Sequence, residues 1–264
     1  MPLISVNGTI INYRFDGPEQ GPIVMLSTSL ATNLTMWDSQ VHALVDAGYR
    51  ILRYDSRGHG RSETPAGPYS IDMLADDAVR LMDALDLGRI HFCGLSMGGV
   101  VGQMLGIWHS ERLLSLTLCS TAAHMPPREL WDERIEGVGT RGMNAFVDGA
   151  IDRWFTKAGQ ERLEAEVSKI RDMILDTPTE GFRASCAALQ DMDLRDLIRA
   201  IPTRTLVIVG EHDPGTPVSA SQFIHEQIAD SRLKIISDAA HLANVEQAGV
   251  FNETLLEFIE TDGV

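Results

Sequence analysis

Cysteine is scarce in this chain: Cys93, Cys119 and Cys186 are the only three in 264 residues. The count is odd, no C-x-x-C occurs, and Cys93 and Cys119 stand in apolar runs, so buried thiols are expected rather than disulfides. No His/Asp/Glu cluster has metal-ligand spacing either, and neither metal nor cofactor is expected. Positive charge is also short, with 22 Lys and Arg against 37 Asp and Glu and a formal net charge of -15. Nothing supplies a phosphate-neutralising stripe, which argues against nucleic acid and against anionic membranes as partners. An anionic small substrate would need a local cation in its pocket. No apolar run approaches membrane-spanning length. The start, Met1-Pro2-Leu3-Ile4-Ser5, lacks the basic-then-apolar order of a secretion signal, and the expected compartment is the cytoplasm.

What is present is an apolar fraction of 44%, enough for a substantial core in one large α/β domain or a domain with an insertion. Short β-type runs at 3–6, 10–15 and 23–26 are broken by Gly8 and by Asp16-Gly17-Pro18. A helical pattern at 36–47 stops at Gly48, and a strand follows at 49–54. Ser70 reads as the cap of a helix whose Ala75, Val79 and Met82 share a face. Strand and helix alternate as far as the strand at 113–119, which predicts a mostly parallel sheet with helices on both sides. From 122 to 192 the pattern is helical only, in about four pieces. Alternation returns with strands at 205–209 and 233–236 and a last helix carrying Phe251, Leu255 and Phe258. The expected organisation is therefore a sheet core over 1–121 and 193–264, interrupted by a helical cap over 122–192.

The chemistry centres on Gly94-Leu95-Ser96-Met97-Gly98, a G-x-S-x-G run between a β-type stretch and a helical one. Such a strand-to-helix turn holds a serine at its apex with the hydroxyl exposed, and the flanking glycines permit close approach of helix and strand. Ser96 is thus the expected nucleophile. A serine hydroxyl needs a base, and the base needs an orienting acid. In this arrangement the chain order is Ser, acid, His, each after a strand. Asp213, which follows the strand at 205–209, and His241, which follows the strand at 233–236, fit that order. Asp191, Asp193 and Glu211 are rival acids. Among the other histidines, His42 and His225 fall in helices, His91 in a strand, and His59 in a loop, Arg57-Gly58-His59-Gly60-Arg61, whose role reads as structural. An oxyanion hole would take the Met97 N–H at the start of the helix and, by loop position, the Leu30 N–H.

These motifs resemble the α/β-hydrolase superfamily over essentially the whole chain: Asp55-Ser56-Arg57-Gly58-His59-Gly60-Arg61-Ser62, the Ser96 turn, Gly210-Glu211-His212-Asp213, and His241. A closer resemblance is to the 3-oxoadipate enol-lactonases. It rests on Ser29-Leu30-Ala31 leading to Met36-Trp37-Asp38, on Trp131-Asp132-Glu133-Arg134-Ile135, on Arg153-Trp154-Phe155-Thr156, and on Ala239-Ala240-His241-Leu242-Ala243-Asn244-Val245-Glu246-Gln247. Ala31 departs from that family's glycine, and Thr28 from its asparagine. The resemblance implies an α/β-hydrolase fold with an inserted cap, and hydrolysis of 3-oxoadipate enol-lactone in aromatic catabolism. Because that substrate carries a carboxylate, Arg134 in the cap is the candidate cation, with Trp131 and Trp154 as apolar walls. The triad alone also fits a carboxylesterase, a carbon–carbon bond hydrolase, a cofactor-free perhydrolase or, in another class, a ligand receptor on a hydrolase scaffold. A dehalogenase is disfavoured because it needs a carboxylate where Ser96 stands.

Overall fold

The computed structural model describes residues 2–125 and 127–260; Met1 and 261–264, the outermost residues of the expected core, lie outside them. The chain opens with the hairpin β1 (Leu3–Val6) and β2 (Thr9–Asp16), then β3 (Ile23–Ser27), α1 (Asp38–Asp46), β4 (Arg50–Tyr54), α2 (Ile71–Ala84), β5 (Ile90–Leu95), α3 (Met97–Trp108) and β6 (Leu113–Cys119). Among the described residues five helices follow without a strand: α4 (Arg128–Arg141), α5 (Asn144–Trp154), α6 (Lys157–Arg162), α7 (Glu164–Asp176) and α8 (Thr179–Gln190). The chain then resumes alternation with β7 (Thr205–Gly210), α9 (Val218–Gln227), β8 (Ser231–Ile236), α10 (Ala243–Glu246) and α11 (Ala248–Glu260).

The eight strands form one sheet in the order β1-β2-β4-β3-β5-β6-β7-β8. β1 and β2 pair antiparallel, as do β2 and β4, and every pairing from β4 to β8 is parallel. The chain leaves β3 for β4 on one side and returns to β5 on the other. In open parallel sheets such a reversal opens a crevice beyond the strands' carboxyl ends. Ser27 and Gly94 are register partners at this point, so the loops after β3 and β5 emerge side by side.

Burial explains the strand compositions. β5 and β7 are buried at every residue, because helices cover both faces. Ser70 caps α2, its hydroxyl accepting from the Met73 N–H at 3.1 Å, and Ala75, Val79 and Met82 are all buried. Two local expectations change. The helix expected over 36–47 is a 3-10 turn over Leu34–Trp37, capped by Asn33, followed by α1. The stretch expected as about four helices holds five, because Leu163 ends α6 with an irregular residue and α7 restarts beside it. Cys93 and Cys119 are buried free thiols on adjacent strands with sulfurs 3.8 Å apart. Among the described residues no helix is long and apolar enough to cross a membrane, and no group of His, Cys, Asp and Glu could hold a metal ion.

Candidate active site

The turn at the end of β5 is shaped by what its glycines lack. A Cβ on Gly94 would lie 2.0 Å from the Gly98 carbonyl oxygen, and one on Gly98 would lie 2.3 Å from the Ser27 carbonyl oxygen. Both clashes are with backbone and cannot be relieved by a rotamer. The turn forces Ser96 to φ 56° and ψ -112°, a region L-residues rarely occupy and which persists only where surroundings over-determine it. Here those surroundings are visible. The Ser96 N–H donates to the Cys119 carbonyl at 2.9 Å, the Thr121 hydroxyl donates to the Ser96 carbonyl at 2.9 Å, and the Gly98 N–H donates to the Thr28 carbonyl at 3.0 Å.

Asp213 and His241 come from the loops after β7 and β8. A Cβ on Gly210 would lie 2.1 Å from the Ala240 carbonyl, so only glycine lets the second loop fold over the end of β7. The loops are stitched by the His212 N–H donating to the Ala239 carbonyl at 2.9 Å. His241 Nδ1–H donates to Asp213 Oδ2 at 2.7 Å. The same oxygen accepts from the Thr216 hydroxyl at 2.7 Å, while Oδ1 accepts from the Gly215 and Thr216 N–H groups at 2.8 and 3.0 Å. Burial alone would raise the Asp213 carboxyl; the charge of His241 and the hydrogen bonds from His241 and Thr216 outweigh it and hold the group below its usual range. An ionised Asp213 fixes the proton on Nδ1 and leaves Nε2 as the basic nitrogen. The rival acids are elsewhere: Asp191 pairs with Arg128, Asp193 with Arg195, and Glu211 is exposed.

Ser96, Asp213 and His241 line one cavity together with Leu30, Trp131, Arg134 and Trp154. The Trp154 ring lies stacked beside the His241 imidazole at 6.1 Å and 26°. Arg134 sits over the Trp131 ring at 4.6 Å, not in an acidic pair on the helix surface. Leu30 and Met97 are buried, and among the described residues neither backbone N–H donates to a protein acceptor. Two free amides beside a half-buried serine hydroxyl can receive an oxyanion.

Sequence reasoning missed three participants. Arg153 and Phe146 also line the cavity; they lie seven residues apart on the inward face of α5, so a charge on an otherwise apolar helical stripe was the available signal. Glu246 is buried and accepts from the Thr156 N–H at 3.0 Å, from the Thr156 hydroxyl, and from the Ala240 N–H at 2.8 Å. It thereby ties the helices above the site to the residue before His241. No periodicity announces such a tie.

A parallel sheet with a serine at the β5–α3 turn and an Asp–His pair on the last two strand ends defines the class. A family model described as alpha/beta hydrolase fold matches residues 22–248, and the chain belongs to that family. It is a hydrolase. It is 36% identical over 252 residues to 3-oxoadipate enol-lactonase 2 of Acinetobacter baylyi, spanning 96% of this chain and 94% of that protein. The enol-lactonase structure from Burkholderia xenovorans superposes with a TM-score of 0.96 at 41% identity, covering 98% of this chain and all of that one. A thermophilic esterase from Thermogutta terrifontis, solved with malate bound, superposes at 0.93 with 28% identity and 99% coverage of both chains.

Proposed function

We propose that this hydrolase opens 3-oxoadipate enol-lactone to 3-oxoadipate, as a step in breakdown of aromatic compounds, with Ser96, His241 and Asp213 as its triad. Ser96 Oγ attacks the lactone carbonyl while His241 Nε2 takes its proton and Asp213 holds the imidazolium. The Met97 and Leu30 amides receive the oxyanion. The ring C–O bond breaks, and the leaving enolate takes the proton from His241. The resulting enol tautomerises to a ketone, which makes ring opening effectively irreversible. Water then gives its proton to His241, attacks the acyl carbonyl and frees the second carboxylate and Ser96. The helices from 128 to 190 act as the cap over this site, and Arg134 binds the carboxylate the lactone carries.

The observation that carries the substrate assignment is the Arg134 guanidinium, which among the described residues has no carboxylate partner, in the serine's own cavity of a protein of net charge -15. A site for neutral esters has no use for it; a carboxylate-bearing lactone does. The test is turnover of the enol-lactone beside 4-nitrophenyl acetate. Strong lactone turnover with feeble acetate turnover, both lost in Ser96→Ala, supports the assignment. Acetate turnover without lactone turnover overturns it.

A further inference from the structure

Arg134 and Arg153 each line two cavities. The inner one, against Ser96, is small, with about 70 Å³ of free space. The outer one is a groove of about 310 Å³ between α4 and α5, and Arg141 stands on its rim. Leu130, Arg134, Phe146 and Arg153 line both, so these four side chains form the wall between groove and active-site cavity. The guanidinium of Arg134 lies 6.0 Å from the Phe146 ring centre and that of Arg153 lies 5.7 Å from it. Among the described residues neither arginine has a hydrogen bond or an ion pair. Stacking satisfies a guanidinium's face and leaves its N–H edge free for an anion. Burial pushes both groups below the usual arginine range, and the charge of Arg134 pushes Arg153 further the same way.

The groove is kept open by missing side chains. A Cβ on Gly137 would meet nothing nearer than the Arg141 guanidinium at 3.5 Å. The rival opening is electrostatically wrong. A groove of about 430 Å³ beside α7 shares no lining residue with the inner cavity and carries Asp38, Glu166, Asp172 and Asp176 against Lys169 alone, whereas the α4–α5 groove carries Arg134, Arg141 and Arg153 against Glu133 alone. An anion approaching a protein of net charge -15 is repelled there and attracted at the arginines.

We propose that the α4–α5 groove is the entrance for the anionic substrate, that Arg153 and Arg134 are its throat, and that Arg141 steers ligand to it. The steering part rests on the carboxylate-bearing substrate inferred above. The throat admits ligand when the Phe146 and arginine side chains part, since they stand between the groove and the inner cavity.

The test uses Ser96→Ala protein and the enol-lactone, with binding followed by stopped-flow tryptophan fluorescence, since Trp131 and Trp154 line the cavity. Gly137→Leu partly fills the groove without touching the inner cavity. Association and dissociation rates should fall by the same factor, leaving Kd unchanged, with Tm not lowered because leucine favours a helix over glycine. Arg141→Glu should slow association on the order of tenfold at low salt. That difference should collapse near 1 M salt, where the screening length is about 3 Å. Unchanged association in both variants overturns the entrance. If the lactone does not bind, the substrate reading fails and the entrance is read instead from 4-nitrophenyl acetate with Ser96 intact. A fall in kcat/KM for Gly137→Leu with none for Arg141→Glu then supports the route, and no fall for Gly137→Leu overturns it.

Discussion

His59 Nε2 accepts the Ala31 N–H at 3.0 Å, from the far side of the loop that carries Leu30. Ala31 sits at φ 60°, a left-handed conformation costly for a residue with a Cβ. The hydrogen bond holds that conformation, and with it the direction of the neighbouring Leu30 amide. Asp55 assists from the same segment, accepting the Leu34 N–H at 2.7 Å. The loop from Asp55 to Ser62 is thus a brace for the loop proposed to receive the oxyanion.

The brace requires a neutral His59. Burial lowers its pKa to about 4, with the hydrogen bond to the Arg57 carbonyl opposing weakly. The unfolded chain binds this proton from about pH 6.5 downward and the folded protein only near pH 4, so stability falls with pH between those limits. Over about 2.5 pH units the loss is on the order of 3 kcal/mol. Denaturant unfolding of wild type and His59→Gln from pH 7 to pH 4 checks this: the variant should start less stable and show a shallower decline. Parallel curves refute it.

Ser96→Ala and His241→Ala should each lower kcat on 4-nitrophenyl acetate by about 10³-fold or more, and the double variant should be scarcely worse. Additive losses would mean that the two residues do not act as one unit.

Arg134→Ala should raise KM for the enol-lactone by roughly tenfold, the worth of one charge-assisted hydrogen bond, with KM for 4-nitrophenyl acetate unmoved. Equal effects on both substrates would reduce Arg134 to a packing role against Trp131.

Gly98→Ala should destabilise the fold by about 3 kcal/mol or more, because its Cβ meets the Ser27 carbonyl rather than a movable side chain. Thermal unfolding reads this directly; a Tm within a degree of wild type would contradict the close packing of the turn on β3.

Glu246→Ala leaves the Thr156 and Ala240 amides without their acceptor. The expected loss is about 2–3 kcal/mol, with kcat falling as His241 loses its anchor. Proteolysis should cut first within 156–163. Unchanged stability and kcat would show the tie to be idle.

The sheet, the turn at Ser96 and the placing of Asp213 and His241 after later strands were legible in the sequence, because those depend on local rules. Alternating apolar runs specify strands, glycines specify a close approach, and chain order follows from which strand ends meet. The sequence also placed Arg134, Trp131 and Trp154 in one helical segment. The reversal between β3 and β5, the Glu246 tie, the His59 brace and the meeting of Arg153 with Arg134 emerge only once the chain is folded. Each joins residues distant in the chain or on different helices, and a pattern of period 2 or 3.6 carries no information about which faces meet.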